Sequence, residues 1–165
     1  IMTTPFLSMG QETYKVSLKD VFGANRAKIC DALKDAGHSA GHVVLMGGKS
    51  ETRYDSDHEP LFRQESYFWY LSGVKEPDCA LRLDTETKEA TLYIPKVPAE
   101  YATIMGKIAT TDEWKASYQV DRVLYMEDLQ DDCLQALERS SNGTKARLCK
   151  LILRLPLNLT LADSV

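Results

Sequence analysis

Most features that mark a membrane, secreted or nucleic-acid-binding protein are missing from this sequence. No apolar run approaches the roughly 20 residues of a membrane span. Residues 1–10 carry neither a basic stretch nor a long apolar one, so they do not resemble a secretory signal. Acidic residues outnumber basic ones by 24 to 20, whereas a general nucleic-acid binder needs a basic field. These absences predict a cytoplasmic protein with no membrane or nucleic-acid partner.

Cysteine and histidine are also scarce. The cysteines are widely spaced and include no C-x-x-C pair, namely Cys30, Cys79, Cys133 and Cys149. Zinc ribbons and thioredoxin motifs are therefore excluded, and we expect buried free thiols. The three histidines all lie in the first 60 residues. None of them belongs to a nucleophile-elbow pattern, so a hydrolytic triad has no support in the sequence.

The length and composition fit one globular domain that covers residues 1–165. The chain is 44% hydrophobic and 27% charged, and a chain of this size buries roughly 70% of its unfolded surface. Predicted helices span 18–36 and 128–137 and another begins at 110, while predicted strands span 42–46, 79–83, 90–94, 122–125 and 148–155. This alternation, with a hairpin formed by the second and third strands, predicts a layered α/β domain with a mixed sheet.

The first predicted helix has a signal at each end. Ser17 and Asp20 form a capping-box pattern before its first apolar residue. Gly37 is a typical residue for the C-terminal stop. Because the apolar residues recur at helical spacing, we expect the Arg and Lys side chains of this helix to point to solvent.

Residues 61–73 are dense in aromatic side chains. We expect this stretch to be core material and strand-like at its end, with Gly73 at a sharp turn of the backbone. The aromatic residues at 68–70 and Trp114 could instead line a pocket, although aromatic side chains at such spacing more often belong to a core.

Three short motifs suggest other chemistry but lack its full pattern. Gly48-Lys49-Ser50 follows a strand as a phosphate-binding loop does, yet the required upstream glycine is Val43 and an acidic loop follows. Residues 55–59, Asp-Ser-Asp-His-Glu, resemble a metal loop without the glycine and glutamate of a calcium site. A third hypothesis is a magnesium-dependent nuclease that uses Asp55, Asp57 and Asp84.

One segment resembles a known family signature. Residues 62–73 read F-R-Q-E-S-Y-F-W-Y-L-S-G, and nine positions match the pattern F-R-Q-x-S-x-F-x-Y-L-[ST]-G. The matching residues are Phe62, Arg63, Gln64, Ser66, Phe68, Tyr70, Leu71, Ser72 and Gly73. This pattern is typical of the N-terminal domain of the proline-specific metallopeptidases aminopeptidase P and prolidase. Similar segments flank the signature, so the resemblance covers about residues 11 to 130.

The resemblance implies a three-layer α/β domain without chemistry of its own. In that family a C-terminal pita-bread domain holds two divalent metals, often manganese, through two Asp, one His and two Glu ligands. None of those ligand motifs occurs in this chain. We therefore expect no catalytic or metal-binding residue here, and two manganese ions in a catalytic domain that this chain lacks. The parent enzyme would hydrolyse Xaa-Pro bonds in dipeptides or short peptides, and dipeptidase and aminopeptidase activities stay open.

The resemblance also implies a role in association and gating. The family's N-terminal domain contributes to dimerisation and shields the mouth of the active site, so the implied partners are its own catalytic domain and a second subunit. The segment 99–107 is a candidate lip beside the active site, with Ile104 at a position where some relatives carry an aromatic residue. The alternative is a stand-alone scaffold or binding module of the same fold, without peptidase activity.

Within the signature, the two polar residues after Phe62 need partners if the segment is buried. Arg63 could form a bidentate pair with Glu76 or Asp78 and thereby brace the sheet. This hypothesis predicts that Arg63→Met lowers stability.

Overall fold

A computed structural model describes residues 6–38, 41–140 and 147–149. The strands are β1 (Phe6–Leu7), β2 (Val16–Ser17), β3 (Gly41–Met46), β4 (Ala80–Asp84), β5 (Ala90–Ile94), β6 (Arg122–Tyr125) and β7 (Arg147–Cys149). The α-helices are α1 (Ala24–Asp35), α2 (Ser66–Ser72), α3 (Ala102–Met105), α4 (Thr111–Tyr118) and α5 (Leu129–Ser140). A π-helical turn, Lys19–Gly23, leads into α1, and 3-10 turns at Ala99–Tyr101 and Met126–Asp128 precede α3 and α5.

The main sheet has five strands in the order β6-β5-β4-β3-β7. The central pairs β3/β4 and β4/β5 are antiparallel, and the outer pairs β5/β6 and β3/β7 are parallel. The predicted hairpin is confirmed, with Leu81 opposite Leu92. The sheet is therefore mixed, as predicted, and the short strands β1 and β2 form a separate pair.

Helices cover both faces of the sheet. Alternate residues of the central strands, such as Leu81 and Leu92, join one core cluster with residues of α1, α2 and α4. The intervening residues, such as Val44 and Tyr93, join a second cluster that contains Leu129 of α5. Because successive side chains of a strand point to opposite faces, this division defines three layers. The predicted α/β fold is confirmed.

The start of the first helix differs from the prediction. Ser17 lies in β2, where it pairs with Phe6, and the helical chain begins with a π turn that no side chain caps. The predicted capping box is therefore wrong, because strand pairing places Ser17 outside the helix. At the other end, Gly37 has the expected left-handed conformation with φ of +86°.

Arg26 of α1 does not point to solvent as predicted. Its side chain is buried, and its guanidinium donates to the carbonyl oxygens of Leu71 at 3.0 Å and Gln119 at 3.3 Å. These carbonyls lie at the C-terminal ends of α2 and α4, where helical carbonyls lack an intrahelical partner. Satisfying two helix ends at once is the physical reason why a charged side chain is buried here.

The end of the aromatic segment is helical, so the predicted strand character is wrong. Glu65 caps α2 by accepting the backbone N–H of Phe68 at 2.7 Å. Gly73 closes the helix in a left-handed conformation with φ of +71°. Helical spacing then buries Phe68 and leaves Tyr67, Trp69 and Tyr70 exposed, so only part of the segment is core.

The remaining predicted elements agree with the structure wherever it describes them. The capping box between Thr110 and Glu113 is present, and β6 and α5 lie where predicted. Buried free thiols are confirmed for Cys30 and Cys79. Of the predicted strand 148–155, residues 150–155 lie outside the described residues. No helix in the described ranges is long and apolar enough to cross a bilayer.

Candidate functional site

Gln64 is the polar residue of the signature that joins neighbouring segments. Its side-chain oxygen accepts the backbone N–H groups of Gly48 at 2.6 Å and Glu65 at 2.9 Å. Its amide nitrogen donates to the carbonyl oxygen of Glu76 at 2.8 Å. One side chain thus holds together the end of the β3 segment, the start of α2 and the chain that leads into β4.

Arg63 does not have the role that the sequence suggested. Its side chain is exposed, and it makes no ion pair in the part of the chain that the structure describes. The carboxylate of Glu76 instead accepts a hydrogen bond from the hydroxyl of Tyr118. The proposed brace is therefore wrong, because Arg63 lies on the solvent side of an irregular segment and Gln64 faces inward.

The other signature residues divide between core and surface. Phe68, Leu71, Ser72 and Gly73 are buried, and Ser72 donates to the carbonyl of Phe68 at 2.7 Å. Phe62 is half-buried next to Gly48, where an added Cβ would lie only 3.1 Å from its ring. Ser66 and Tyr70 are exposed.

Replacing Gln64 by alanine is expected to lower the free energy of unfolding by about 1–3 kcal/mol, because three backbone groups lose their hydrogen-bond partner in a partly buried place. Arg63→Met is the matched control and should change stability by no more than about 0.5 kcal/mol, since Arg63 is exposed. Urea unfolding followed by circular dichroism measures both. Equal losses in the two variants would contradict this role of Gln64.

A cavity of about 470 Å³ has Glu76 in its wall. It is bounded by the ends of β5 and β6, by α4 and by the chain from Gly106 to Ala109. Its aromatic wall consists of Trp114, Tyr118 and Tyr125, and the Trp114 and Tyr118 rings lie 5.4 Å apart. Glu76 connects this wall to the signature, because its carboxylate accepts from Tyr118 while Gln64 donates to its carbonyl.

An ion pair lies in the wall of the cavity. Lys107 donates to Glu113, whose carboxylate also accepts the backbone N–H of Thr110 at 2.8 Å. The hydrogen bond from Lys107 and that backbone contact hold the pKa of Glu113 below its ordinary value. The end of segment 99–107 is thereby attached to the first turn of α4.

Ile104 does not line this cavity. It lies on the four-residue helix α3, and its side chain is 83% exposed. Val97 and Tyr101 of the same stretch are also exposed, so segment 97–104 presents an apolar edge beside the cavity. The structure thus places the predicted lip residue on an exposed short helix, outside the lining of the cavity.

The cavity itself was not predicted from the sequence, although Trp114 was considered as a pocket residue. Its walls come from segments far apart in the chain, and no local motif joins Glu76 to Tyr118. The aromatic residues at 68–70 do not line it. The pairing of Glu76 with an aromatic hydroxyl depends on how α4 packs against the sheet.

The alternative metal and nucleotide sites are not formed. Asp55 and Asp57 lie in an exposed loop, and an oxygen of Asp84 accepts the backbone N–H groups of Glu86 and Thr87. Among the described residues, no group of three or more His, Cys, Asp or Glu side chains could hold a metal ion. No helix follows Lys49 at the position where a phosphate-binding loop requires one. The described structure therefore gives no support to the nuclease hypothesis or to the metal-loop hypothesis.

The fold and the internal contacts of the signature define a class of domain: a three-layer α/β module in which the buried residues Phe68 and Leu71 of the signature pack in the core on one face of the sheet. Residues 22–144 match the family model "Aminopeptidase P, N-terminal domain". The chain belongs to this family. The expectation from the signature is confirmed.

Related proteins are longer than this chain. It is 43% identical to human Xaa-Pro dipeptidase over 129 residues, which are 77% of this chain and 26% of that protein. It is 41% identical over 108 residues to a probable Xaa-Pro aminopeptidase of Aspergillus terreus, with 66% of this chain and 22% of the relative covered. The chain thus spans about a quarter of the length of the curated relatives that it matches.

Solved structures share the fold. Escherichia coli aminopeptidase P superposes with a TM-score of 0.60 at 18% identity, covering 83% of this chain and 37% of that protein. Pseudomonas aeruginosa aminopeptidase PepP gives a TM-score of 0.60 at 22% identity, with 74% and 27% covered.

Proposed function

We propose that this domain is the non-catalytic N-terminal domain of a metallopeptidase that hydrolyses Xaa-Pro bonds in dipeptides or short peptides. It contributes to dimerisation and limits access to the active site. The observation that carries the proposal is the exposed segment 97–104, which includes the apolar residues Val97, Tyr101 and Ile104 and stands beside a cavity that has an ion pair in its wall. The names of the relatives support the substrate class.

Segment 97–104 has the properties of a contact surface. Val97, Tyr101 and Ile104 are 38%, 50% and 83% exposed, and adjacent exposed apolar side chains mark interaction sites. Three residues beyond its C-terminal end, Lys107 pairs with Glu113 of α4. Because it is exposed, apolar and anchored next to α4, segment 97–104 can narrow the entrance of an active site in a neighbouring catalytic domain without contributing to the chemistry.

The chemistry would belong to a separate catalytic domain that holds two manganese ions. The described residues of this chain do not fit that role, since no group of three or more ligand-type side chains is assembled. When bound, such a metal pair would polarise the scissile carbonyl and lower the pKa of a bridging water. The part of this domain would be to position the lip and the second subunit in a homodimer in the cytoplasm, where buried free thiols stay reduced.

The gating proposal predicts an effect of Ile104 on substrate binding. In a chimera that carries this domain in place of the corresponding part of human Xaa-Pro dipeptidase, Ile104→Asp should raise the KM for Gly-Pro about three- to tenfold, a change equivalent to roughly 0.6–1.4 kcal/mol. The physical reason is that a charge replaces apolar contact at the entrance. Steady-state kinetics and manganese titration measure the two quantities, and manganese affinity should stay the same.

Met9→Asp is the matched control, since Met9 is 95% exposed in the connection between β1 and β2. Kinetics that are unchanged by Ile104→Asp, or changed equally by both substitutions, would contradict the gating role. A stand-alone scaffold is the alternative, and it predicts a folded chimera in which the two subunits do not associate and no peptide is hydrolysed.

A further inference from the structure

The cavity bounded by β5, β6 and α4 has the size and the lining of a small-molecule site. Its volume of about 470 Å³ lies within the range of roughly 300–1,000 Å³ that is typical of such sites. Most of its wall is apolar, with aliphatic residues such as Ile94 and Ile108 beside the rings of Trp114, Tyr118 and Tyr125. The proposed function depends on the neighbouring segment 97–104 and makes no use of the interior of the cavity.

Glu76 brings a carboxylate into this apolar wall, where its side chain is half-buried. One carboxylate oxygen, Oε2, accepts the hydroxyl of Tyr118 and, at 3.2 Å, the backbone N–H of Lys75. No donor in residues 6–38, 41–140 and 147–149 reaches the other oxygen, Oε1. Oε1 is not sealed inside the protein, since no fully buried side-chain oxygen in the described part of the chain lacks a partner. Solvent, and hence a ligand, can reach this oxygen.

The charge of Glu76 has no counter-ion, whereas the other charges around the cavity are paired. Lys107 and Glu113 of the wall pair with each other. Just outside the wall, Lys96 pairs with Glu127 at 3.2 Å. Glu76 takes part in no ion pair within the ranges that the structure describes. The lining therefore has a net negative charge, which favours a cationic ligand and disfavours an anionic one.

The aromatic rings of the wall also suit a cation. An ammonium group is attracted to the face of an aromatic ring when it lies within about 6 Å of the ring centre. Tyr125 already makes one such contact, with Nζ of Lys96 at 5.8 Å. Trp114, the type of residue that attracts cations most strongly, is half-buried in the same wall. Aromatic rings beside a carboxylate are therefore suited to an organic ammonium ion with an apolar body.

We propose that the cavity binds a small organic ammonium ion, whose charged group contacts Glu76 and whose apolar body lies against Trp114 and Tyr118. A primary ammonium group provides the donor that Oε1 of Glu76 lacks, and a charge-assisted hydrogen bond of this kind is strong. Its hydrocarbon part removes the apolar wall from water. A metal ion fits less well, because Glu113 is already paired with Lys107 and no group of three ligand-type side chains is assembled in the described ranges.

Titration of the full 165-residue chain with phenethylammonium tests the proposal. The chain has two tryptophans, so an NMR spectrum of the indole N–H groups reports on Trp114 in the cavity wall and on Trp69 of α2 outside it. The amine should shift the signal of Trp114 and leave that of Trp69 unchanged. Absence of a Trp114 shift at about 20 mM amine, where even a weak fragment of this size binds, would overturn the proposal.

Two probes of similar shape separate charge from apolar contact. Phenethyl alcohol, which is neutral, should bind about fivefold more weakly than phenethylammonium, and the anion phenylacetate should bind more weakly still. Equal affinity for the amine and the alcohol would overturn the role of charge. Tighter binding of the tripeptide Phe-Gly-Gly than of phenethylammonium would overturn the assignment to a free amine in favour of a peptide N-terminus.

Glu76→Gln removes the charge and keeps an oxygen that can accept from Tyr118. It should weaken binding of phenethylammonium about fivefold or more and leave that of phenethyl alcohol unchanged. Glu51→Gln is the matched control, since Glu51 is exposed and lies outside the cavity wall, and it should leave both affinities unchanged. Equal binding of the amine by Glu76→Gln and by the parent chain would overturn the proposal. Because the comparison of probes uses the unsubstituted chain, the proposal stays testable even if Glu76→Gln does not fold.

Discussion

Gly73→Ala is expected to lower the free energy of unfolding by roughly 3 kcal/mol or more. Two effects combine at this position. Gly73 has φ of +71°, a left-handed conformation that costs an L-residue about 1–2 kcal/mol. A Cβ there would also lie 2.4 Å from an edge carbon of Phe22, closer than real contacts allow.

The ring of Phe22 has little room to move away. Its side chain is 1% exposed, and it packs edge-to-face against Trp69 with centroids 5.7 Å apart. Shifting it would disturb the contact between the π-helical turn and α2. Overpacking of this kind in a dense core typically costs about 1–3 kcal/mol.

Gly37→Ala separates the two effects. Gly37 also has a positive φ, of +86°, but nothing lies within 4 Å of its added Cβ. This control should therefore cost only the conformational strain, about 1 kcal/mol. Urea unfolding of both variants measures the difference. If Gly73→Ala is no more destabilising than Gly37→Ala, the close packing of Phe22 does not determine the choice of glycine at position 73.

Asp132→Ala is expected to destabilise the domain by about 3–5 kcal/mol, because it leaves a buried positive charge without its partner. Asp132 of α5 lies 2.9 Å from the guanidinium of Arg82, and it accepts the hydroxyl of Tyr93. The side chains of Arg82 and Asp132 are only 7% and 12% exposed. Arg82 also contacts Tyr93 at 3.0 Å, so the substitution removes the acceptor of a connected network.

Asp31→Ala is the matched control, since Asp31 forms an exposed pair with Lys88. Exposed ion pairs contribute at most about 1 kcal/mol. Chemical denaturation of both variants at neutral pH measures the contrast. A loss for Asp132→Ala as small as that for Asp31→Ala would show that the network under α5 does not stabilise the fold.

The same network predicts a pH dependence. Burial alone would raise the pKa of Asp132, but the hydrogen bond from Tyr93 and the charges of Arg82 and Arg122 outweigh it and lower the pKa. For a carboxyl group with a lowered native pKa, the stabilisation is fully present above the unfolded value of about 3.9 and is lost as the pH falls through the native value. The difference in stability between the parent chain and Asp132→Ala should therefore be constant from pH 7 to about pH 5 and shrink below about pH 4.

Features with a local physical cause could be predicted from the sequence. The alternation of apolar residues in 79–83 and 90–94 predicts the hairpin, and the residues at 110–113 predict the cap of α4, because each depends on neighbours a few positions away. The signature at 62–73 was enough to assign the family, which the match over residues 22–144 confirms. The helical form of its last residues was missed, because four aromatic residues in a row favour a strand when only local propensity is considered.

The sequence by itself determined the family, the α/β class and the positions of strands β3 to β6 and of helices α1, α4 and α5, since these follow from local periodicity and from one dense motif. Only the tertiary structure decided which polar residues are structural. Arg26 is buried because two helix ends, at Leu71 and Gln119, converge on it, and Gln64 rather than Arg63 faces inward because three separate segments meet there. Such contacts join residues far apart in the chain. Their geometry depends on tertiary packing, which cannot be predicted from local sequence patterns.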